Sequence, residues 1–333
     1  MTHQSILDYV GNTPLVQLNR LFMNTGLQVS AKLEFFNPGG SVKDRPAKYI
    51  IEHGLRTGEI RSNSHIIEST SGNFGIALAM VARAYNLRFT AVVDPKILPA
   101  NLRMLQAFGA QVDMVTQCDE HDGYLLTRLR RVKELLAEDP DKYWINQYAN
   151  PLNWQTHYHT TAREIVAGLD QPIDYFFGAV STTGTLMGIG RRIRESFPQV
   201  KIIAVDATGS IIFGSAAGSR DIPGIGASRV PELLDTSIVD EVVLINDYES
   251  ATACRSLLLH EGIFAGGSSG AVIAAIQKIQ PSLPAGSRIA TLLPDRGERY
   301  LDLVYNDVWY QNARERWTIS EPQFQSIQFA KVV

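Results

Sequence analysis

Short apolar runs of strand length alternate with helix-length amphipathic runs through this chain, and that alternation restricts it to an α/β architecture. Residues 65–69 read as a strand feeding a helix over 73–85. Next come a strand at 88–93, a helix over 99–108, a strand at 111–115 and an amphipathic helix over 121–137. Further on, a strand at 174–180 precedes a helix over 185–196, with another strand at 202–206. A strand at 242–245 leads into a helix over 248–261, and a helix over 269–280 precedes a last buried strand at 288–293. Strands joined by helices return to the same end of a sheet, so their neighbours run parallel. The expected fold is therefore two doubly wound lobes with mostly parallel sheets and helices on both faces. With 333 residues and 45% hydrophobic content, the chain is long enough for two such lobes. No internal repeat is visible. Residues 311–333 mix charges, aromatics and a proline without a period and read as a loosely attached C-terminal extension.

Several function classes are excluded at this level. A formal net charge of −3 gives no global field for nucleic acid or a membrane surface. No apolar run is long enough to span a bilayer, and the first residues show no basic-then-apolar leader. The two cysteines, Cys118 and Cys254, are far apart, which argues against a disulfide framework and fits a reducing cytoplasmic location. His157-Tyr158-His159 has no carboxylate or cysteine nearby to complete a ligand set, so no metal site is expected.

Glycines cluster where strands end, the place where open α/β sheets bind ligands. Four such segments stand out. In Asn37-Pro38-Gly39-Gly40-Ser41-Val42-Lys43-Asp44-Arg45, a lysine sits on glycine-rich backbone before a helix. Such a lysine is either a solvated charge, its usual fate, or an amine placed for a Schiff base. In Thr70-Ser71-Gly72-Asn73, hydroxyls and N–H groups meet a helix start. One residue, Ser71 or Asn73, would suffice as a cap, and the remaining polar groups suggest a carboxylate cradle. Ser181-Thr182-Thr183-Gly184-Thr185 follows an apolar strand and suits a phosphate, or merely a capped turn, and it lacks the Gly-Lys-Ser/Thr ending of a Walker loop. Gly266-Gly267-Ser268-Ser269-Gly270 opens another helix; Ser268 either caps it or meets a ring nitrogen.

Taken together, these segments resemble the fold-type-II pyridoxal 5'-phosphate (PLP) enzymes of the cysteine synthase and cystathionine β-synthase branch. The resemblance spans roughly residues 5 to 305, with the S-V-K-D-R, T-S-G-N, hydroxyl-rich loop, G-I-G-A and S-S-G-A boxes in family order. It sharpens in residues 43–52, 144–150, 222–231 and 293–297, which look like the subgroup of N-(2-amino-2-carboxyethyl)-L-glutamate synthases. Those enzymes serve a diaminopropionate route in siderophore biosynthesis, joining O-phospho-L-serine to the amine of L-glutamate with release of phosphate.

The resemblance implies roles residue by residue. Lys43 would carry PLP as a Schiff base, remove the donor's α-proton and later return one, with an α-aminoacrylate between. Asn73 would donate to the cofactor's phenolic oxygen, and Ser181, Thr182, Thr183, Gly184 and Thr185 would hold its phosphate. Ser268 would face the pyridine nitrogen, where a neutral hydroxyl makes a weaker sink than an aspartate and favours β-elimination. Thr70, Ser71, Gly72 and Gln147 match the positions for the substrate α-carboxylate, and contacts there would draw the smaller lobe closed. The resemblance also implies a homodimer acting on small amino acids, a larger lobe of 1–35 plus 148–310, and a smaller lobe of 36–147.

Three residues are candidates for the substrate's extra charge. Leu125, Leu129, Val132 and Leu136 mark the apolar face of the 121–137 helix, and at about 100° per residue Arg128 falls about 60° from its centre. Its guanidinium either snorkels to water or turns inward to a carboxylate. Arg229 either receives the leaving phosphate or pairs with Glu232. Tyr148 is a third candidate, or an ordinary packed tyrosine. Ser69 and Phe74 stand where cysteine synthases commonly have proline and threonine, and Ser181 and Thr183 where glycines are usual. These departures weaken a plain cysteine synthase using O-acetylserine or O-phosphoserine with sulfide, which is the alternative. A non-catalytic binding partner of the same fold is the other, and retention of Lys43, Asn73, Gln147 and Ser268 argues against it.

Overall fold

The computed structural model describes residues 5–119, 123–319 and 326–328. The chain begins with β1 (Leu15–Gln17), β2 (Gln28–Leu33), α1 (Asp44–Thr57), β3 (His65–Ser69), α2 (Asn73–Ala84) and β4 (Arg88–Val93). It continues with α3 (Pro99–Ala107), β5 (Gln111–Met114), α4 (Leu125–Glu138), β6 (Lys142–Trp144), α5 (Leu152–His159) and α6 (Thr161–Gly168). Then follow β7 (Tyr175–Ala179), α7 (Gly184–Ser196), β8 (Lys201–Ala207), β9 (Glu241–Ile245) and α8 (Asp247–Glu261). Last come α9 (Gly267–Ile279), β10 (Arg288–Leu293), α10 (Asp307–Ile319) and β11 (Ser326–Gln328).

These elements fall into two compact units: residues up to Gly11 with Asn37–Asn153, and Asn12–Phe36 with the described residues from Trp154 on. The division differs from the expected 1–35, 36–147 and 148–310. The N-terminal turn belongs to the first unit because Leu7 is buried in its core and Lys48 Nζ donates to the Leu7 carbonyl at 2.9 Å. The second boundary lies beyond 147 because Asn153 Nδ2 donates to the Gln147 carbonyl at 2.7 Å.

The first unit is built on a four-stranded parallel sheet in the order β5-β4-β3-β6. Successive side chains of a strand point to opposite faces, and both faces here are covered. Ile66, Ala91 and Val93 pack with Ile50, Ile76, Leu78 and Leu105 on one side. Ile67 and Val92 pack with Val132 and Leu135 of α4 on the other. The expected start of α4 at 121 lies outside the described residues, and its buried face differs from the expected one. Val132 and Leu135 are its buried residues, while Leu125 and Leu129 are only half-buried. Arg128 is four residues before Val132 and seven before Leu135, so it lies in line with the buried face rather than beside it.

The second unit holds a seven-stranded sheet in the order β1-β2-β10-β7-β8-β9-β11. Its interior pairs are parallel, and the edge strands β1 and β11 are antiparallel to β2 and β9. The sequence pattern conceals β2 because Lys32 occupies one of its buried positions, 2.8 Å from Glu164 and donating to the Thr13 carbonyl. The three-residue β1 and β6 are too short to show a period.

For residues 311–319 the expected loose attachment is corrected by α10. Ala313 is buried, Arg316 pairs with Asp221 at 2.7 Å, and Arg255 stacks over the Tyr310 ring at 4.3 Å. The rest of that extension, 320–325 and 329–333, lies outside the described residues. Among the described residues, no helix is long and apolar enough to cross a membrane, and no group of His, Cys, Asp or Glu could hold a metal ion.

Helix packing in the second unit leaves no room at Gly188 of α7. A Cβ there would lie 2.1 Å from the Trp154 carbonyl oxygen and 2.8 Å from His157 Cβ. Gly188→Ala is therefore expected to destabilise the protein by about 3 kcal/mol, read as a lowered denaturation midpoint. An unchanged midpoint would show that α5 and α7 can separate freely.

Candidate active site

The candidate residues lie in two groups, one in each unit. In the first unit, Lys43 immediately precedes α1 and is half-buried. The backbone before it is pinned from the helix side. Asp44, wholly buried in the first turn, accepts the Gly39 N–H, and a Cβ at Gly39 would meet its Oδ1 at 2.5 Å. Gly40 N–H closes the turn onto the Asn37 carbonyl at 2.8 Å, and Lys43 N–H donates to Ser41 Oγ at 3.3 Å. The acidic group at the helix N-terminus is favoured by the helix dipole, so Lys43 is delivered by a fixed turn.

The strand-end loop after β3 carries Thr70, Ser71, Gly72 and Asn73. Gly72 holds the N-cap position of α2 and offers no side-chain acceptor, so neither Ser71 nor Asn73 is the cap. Thr70, buried, accepts the Gly75 N–H at 3.0 Å through Oγ1. Ser71 and Asn73 are half-buried. Ser71 Oγ accepts from Arg128 Nη1 at 3.3 Å, and the Ser71 carbonyl accepts from Asn101 Nδ2 at 3.1 Å. Arg128 has turned inward: its side chain is 14% exposed, and its Nε lies 3.3 Å from the Asp94 carboxylate at the end of β4.

Gln147 stands in the turn after β6. Its Nε2 donates to the Ser69 carbonyl at 3.3 Å, which ties this turn to the carboxylate loop. Tyr148 follows, half-buried. Behind them lies Glu68, whose carboxyl burial pushes up to about 7 against the opposing pull of its N–H donors.

In the second unit, Ser181 to Thr185 run from the end of β7 into α7. Ser181 Oγ donates to the Gly226 carbonyl at 3.1 Å, and Gly226 N–H donates to the Val180 carbonyl at 2.7 Å, so this loop is stitched to the 224–229 loop. Thr182 and Thr183 are buried. Thr183 is the N-cap of α7, with φ +64° and no side-chain capping bond, and its buried Oγ1 has no partner. Gly184 opens the helix. Thr185 Oγ1 lies 3.3 Å from His157 Nε2, and His157, wholly buried, reaches Thr161 Oγ1 with Nδ1 at 2.9 Å. Arg229 is ion-paired with Glu232, as one of its two readings had it. Ser268 is buried in the first turn of α9, beside Ser269, whose Oγ is also buried without a partner. Asp295 is buried, accepts the Tyr300 hydroxyl at 2.6 Å, and through its carbonyl accepts the Gly266 N–H at 3.0 Å.

The N-terminus of α7 therefore combines first-turn N–H groups, no side-chain cap, and a buried hydroxyl without a partner. Buried polar atoms are nearly always paired, and this combination suits a phosphate with several acceptor oxygens. Over residues 6–295 the chain matches the family of pyridoxal-phosphate dependent enzymes, and it belongs to that family. It is similar to O-ureido-L-serine synthase, at 34% identity and a TM-score of 0.87, with 92% of this chain and 96% of that one covered. It is also similar to the O-acetylserine dependent cystathionine beta-synthase from Helicobacter pylori, at 36% identity and TM-score 0.82, covering 91% and 98%. O-acetyl serine sulfhydrylase isoform 3 from Entamoeba histolytica gives 30% identity and TM-score 0.84, covering 95% and 96%. The chain is thus a PLP-dependent transferase of the cysteine synthase-like, β-replacement kind.

Thr183 supplies a test with a readout apart from activity. A β-branched residue in the left-handed region is strained, and its hydroxyl is unsatisfied without a ligand. Thr183→Gly is expected to raise the stability of the cofactor-free protein by about 1 kcal/mol while weakening PLP binding. Thermal unfolding with and without PLP measures both, and equal stabilisation of the two forms would contradict the phosphate role.

Sequence reasoning missed Asp94, Asn101 and Glu68 as site-forming residues. Asp94 at a strand end and Glu68 two residues before the Thr70-Ser71-Gly72-Asn73 motif carried a faint positional signal; Asn101 carried none. His157 was read as structural, but its position beneath Thr185 was not foreseen.

Proposed function

We propose that this chain joins O-phospho-L-serine to the amine of L-glutamate, giving N-(2-amino-2-carboxyethyl)-L-glutamate and phosphate. The observation that carries the reading is Arg128 of α4, turned inward and bonded to Ser71 of the carboxylate loop. Nη1 donates to Ser71, and the buried Nε lies 3.3 Å from the Asp94 carboxylate without a hydrogen bond. A guanidinium so placed suits a nucleophile with two carboxylates. Sulfide, the nucleophile of the alternative reading, makes no use of it.

PLP, when bound, supplies the electron sink at the donor's Cα. Lys43, Asn73, the Ser181–Thr185 loop and Ser268 would hold it. Thr70, Ser71, Gly72 and Gln147 take the donor's α-carboxylate. The Lys43 amine moves the proton off Cα and back again. The Cβ–O bond to phosphate breaks, the glutamate nitrogen bonds to Cβ, and that nitrogen gives up a proton. Arg128 and Tyr148 orient the incoming glutamate. Arg229 receives the leaving phosphate by exchanging Glu232 for it. The enzyme acts as a cytoplasmic homodimer. Supplying O-phosphoserine or O-acetylserine with glutamate or sulfide, and identifying products by mass spectrometry, tests the reading. Cysteine without any glutamate adduct would overturn it.

A further inference from the structure

The mechanism above makes no use of Glu68, an acidic side chain only 1% exposed near the end of β3. Its carboxylate faces hydrogen-bond donors. Oε1 accepts the Ser69 N–H at 2.8 Å and the Trp144 indole N–H at 3.3 Å. Oε2 accepts the Gln147 N–H at 3.2 Å, and the Asn146 N–H donates to the same carboxylate. These neighbours, from β3, β6 and the turn after it, are all uncharged. Asn146 has φ +54°, a left-handed conformation that costs an L-residue energy and persists only when its surroundings hold it. Gln147, next in that turn, reaches back with Nε2 to the Ser69 carbonyl at 3.3 Å. One buried carboxylate therefore fixes both the backbone of Gln147 and the start of the loop that carries Thr70 and Ser71.

We propose that Glu68 is a positioning residue for donor binding: ionised, it clamps the 145–147 turn to the 69–72 loop, and protonated, it releases that clamp. The proposal rests on the reading that Gln147 and this loop take the donor's α-carboxylate. A proton on Glu68 must point at one of its four N–H neighbours, none of which is an acceptor, so at least one donor has to withdraw. Burial raises the carboxyl to about 7, which brings the exchange into the neutral range. Above about pH 7 the carboxylate is ionised, the turn is held and the donor binds tightly; below it the clamp opens and donor KM rises.

Two measurements on the PLP-loaded enzyme test this. The first needs no substrate: tryptophan emission is followed from pH 5.5 to 8.5 in wild type, Glu68→Gln and Trp144→Phe. Wild type should show a step near pH 7, because the indole N–H loses its charged acceptor, and both variants should lack it. A step that persists in Glu68→Gln overturns the proposal. The second is the ratio of donor KM between Glu68→Gln and wild type across the same range with O-phosphoserine. Ionisation of the substrate is common to both enzymes and cancels. The ratio should be about tenfold at pH 8 and approach one at pH 6, with kcat little changed, since a clamp with charge-assisted hydrogen bonds is lost only where Glu68 would be ionised. A pH-independent ratio, or a fall confined to kcat, overturns it. If Glu68→Gln does not fold, Glu68→Asp keeps the charge with shorter reach and should raise donor KM at pH 8; an unchanged KM overturns the proposal. Failure of the proposed nucleophile would leave the emission step and the donor KM intact, so the two readings fail separately.

Discussion

Replacing Lys43 with alanine is expected to lower turnover by at least about 10³-fold, the range that a positioned proton-transfer group supplies. The loss should come from chemistry rather than folding. Lys43 precedes α1, is half-buried and makes no side-chain cap. The turn that holds it depends on Asp44, Gly39 and Asn37, which the substitution leaves in place. Circular dichroism and the denaturation midpoint should therefore stay close to wild type. Borohydride treatment of the PLP-loaded protein should attach the cofactor to the peptide containing Lys43, and to no peptide in the variant. Lys32 is the other lysine that deserves comparison, since it is buried, but it is committed to Glu164 and the Thr13 carbonyl. Trapping on Lys32, or substantial activity in Lys43→Ala, would contradict the assignment.

The second large effect is expected at Arg128. Arg128→Leu should lower kcat/KM for glutamate by about 10²-fold, the loss of charge-assisted hydrogen bonds to a carboxylate. Turnover with sulfide as nucleophile should fall by less than about tenfold, because sulfide brings no carboxylate to bind. Removing the guanidinium also strands the Asp94 carboxylate, which is only 8% exposed. The double variant with Asp94→Asn separates that cost from the lost substrate contact: it should recover stability without recovering the glutamate reaction. Arg128→Lys should not rescue, since an ammonium cannot serve Ser71, Asp94 and a carboxylate in one plane. Equal losses with glutamate and sulfide would show that Arg128 serves the shared donor instead of the nucleophile.

The parallel strands of both sheets were legible because buried strands of this kind are near-continuous apolar runs, as in 65–69, 88–93 and 288–293. The same logic failed for β2, where a buried lysine interrupts the run, and for β1 and β6, which are too short to show a period. The chemistry-bearing segments were legible because glycines and hydroxyls crowd strand ends. Their partners were not. Asp94 and Ser71 meet Arg128, and Asn101 meets Ser71, only through tertiary packing, and helical periodicity alone placed Arg128 off the buried line. Glu68 could be read as an acidic residue in a strand, but its burial and its ring of N–H donors depend on where β6 docks beside β3. The assignment of the first residues to the wrong lobe has the same origin, since Leu7 finds its core only in three dimensions.

The decisive measurement supplies the enzyme with O-phospho-L-serine and ¹⁵N-labelled L-glutamate and follows product and phosphate together. One phosphate should be released for each N-(2-amino-2-carboxyethyl)-L-glutamate formed, with the label in the nitrogen that joins the two carbon skeletons. Release of phosphate without that labelled adduct, or an adduct that lacks the label at that nitrogen, would contradict the proposed function.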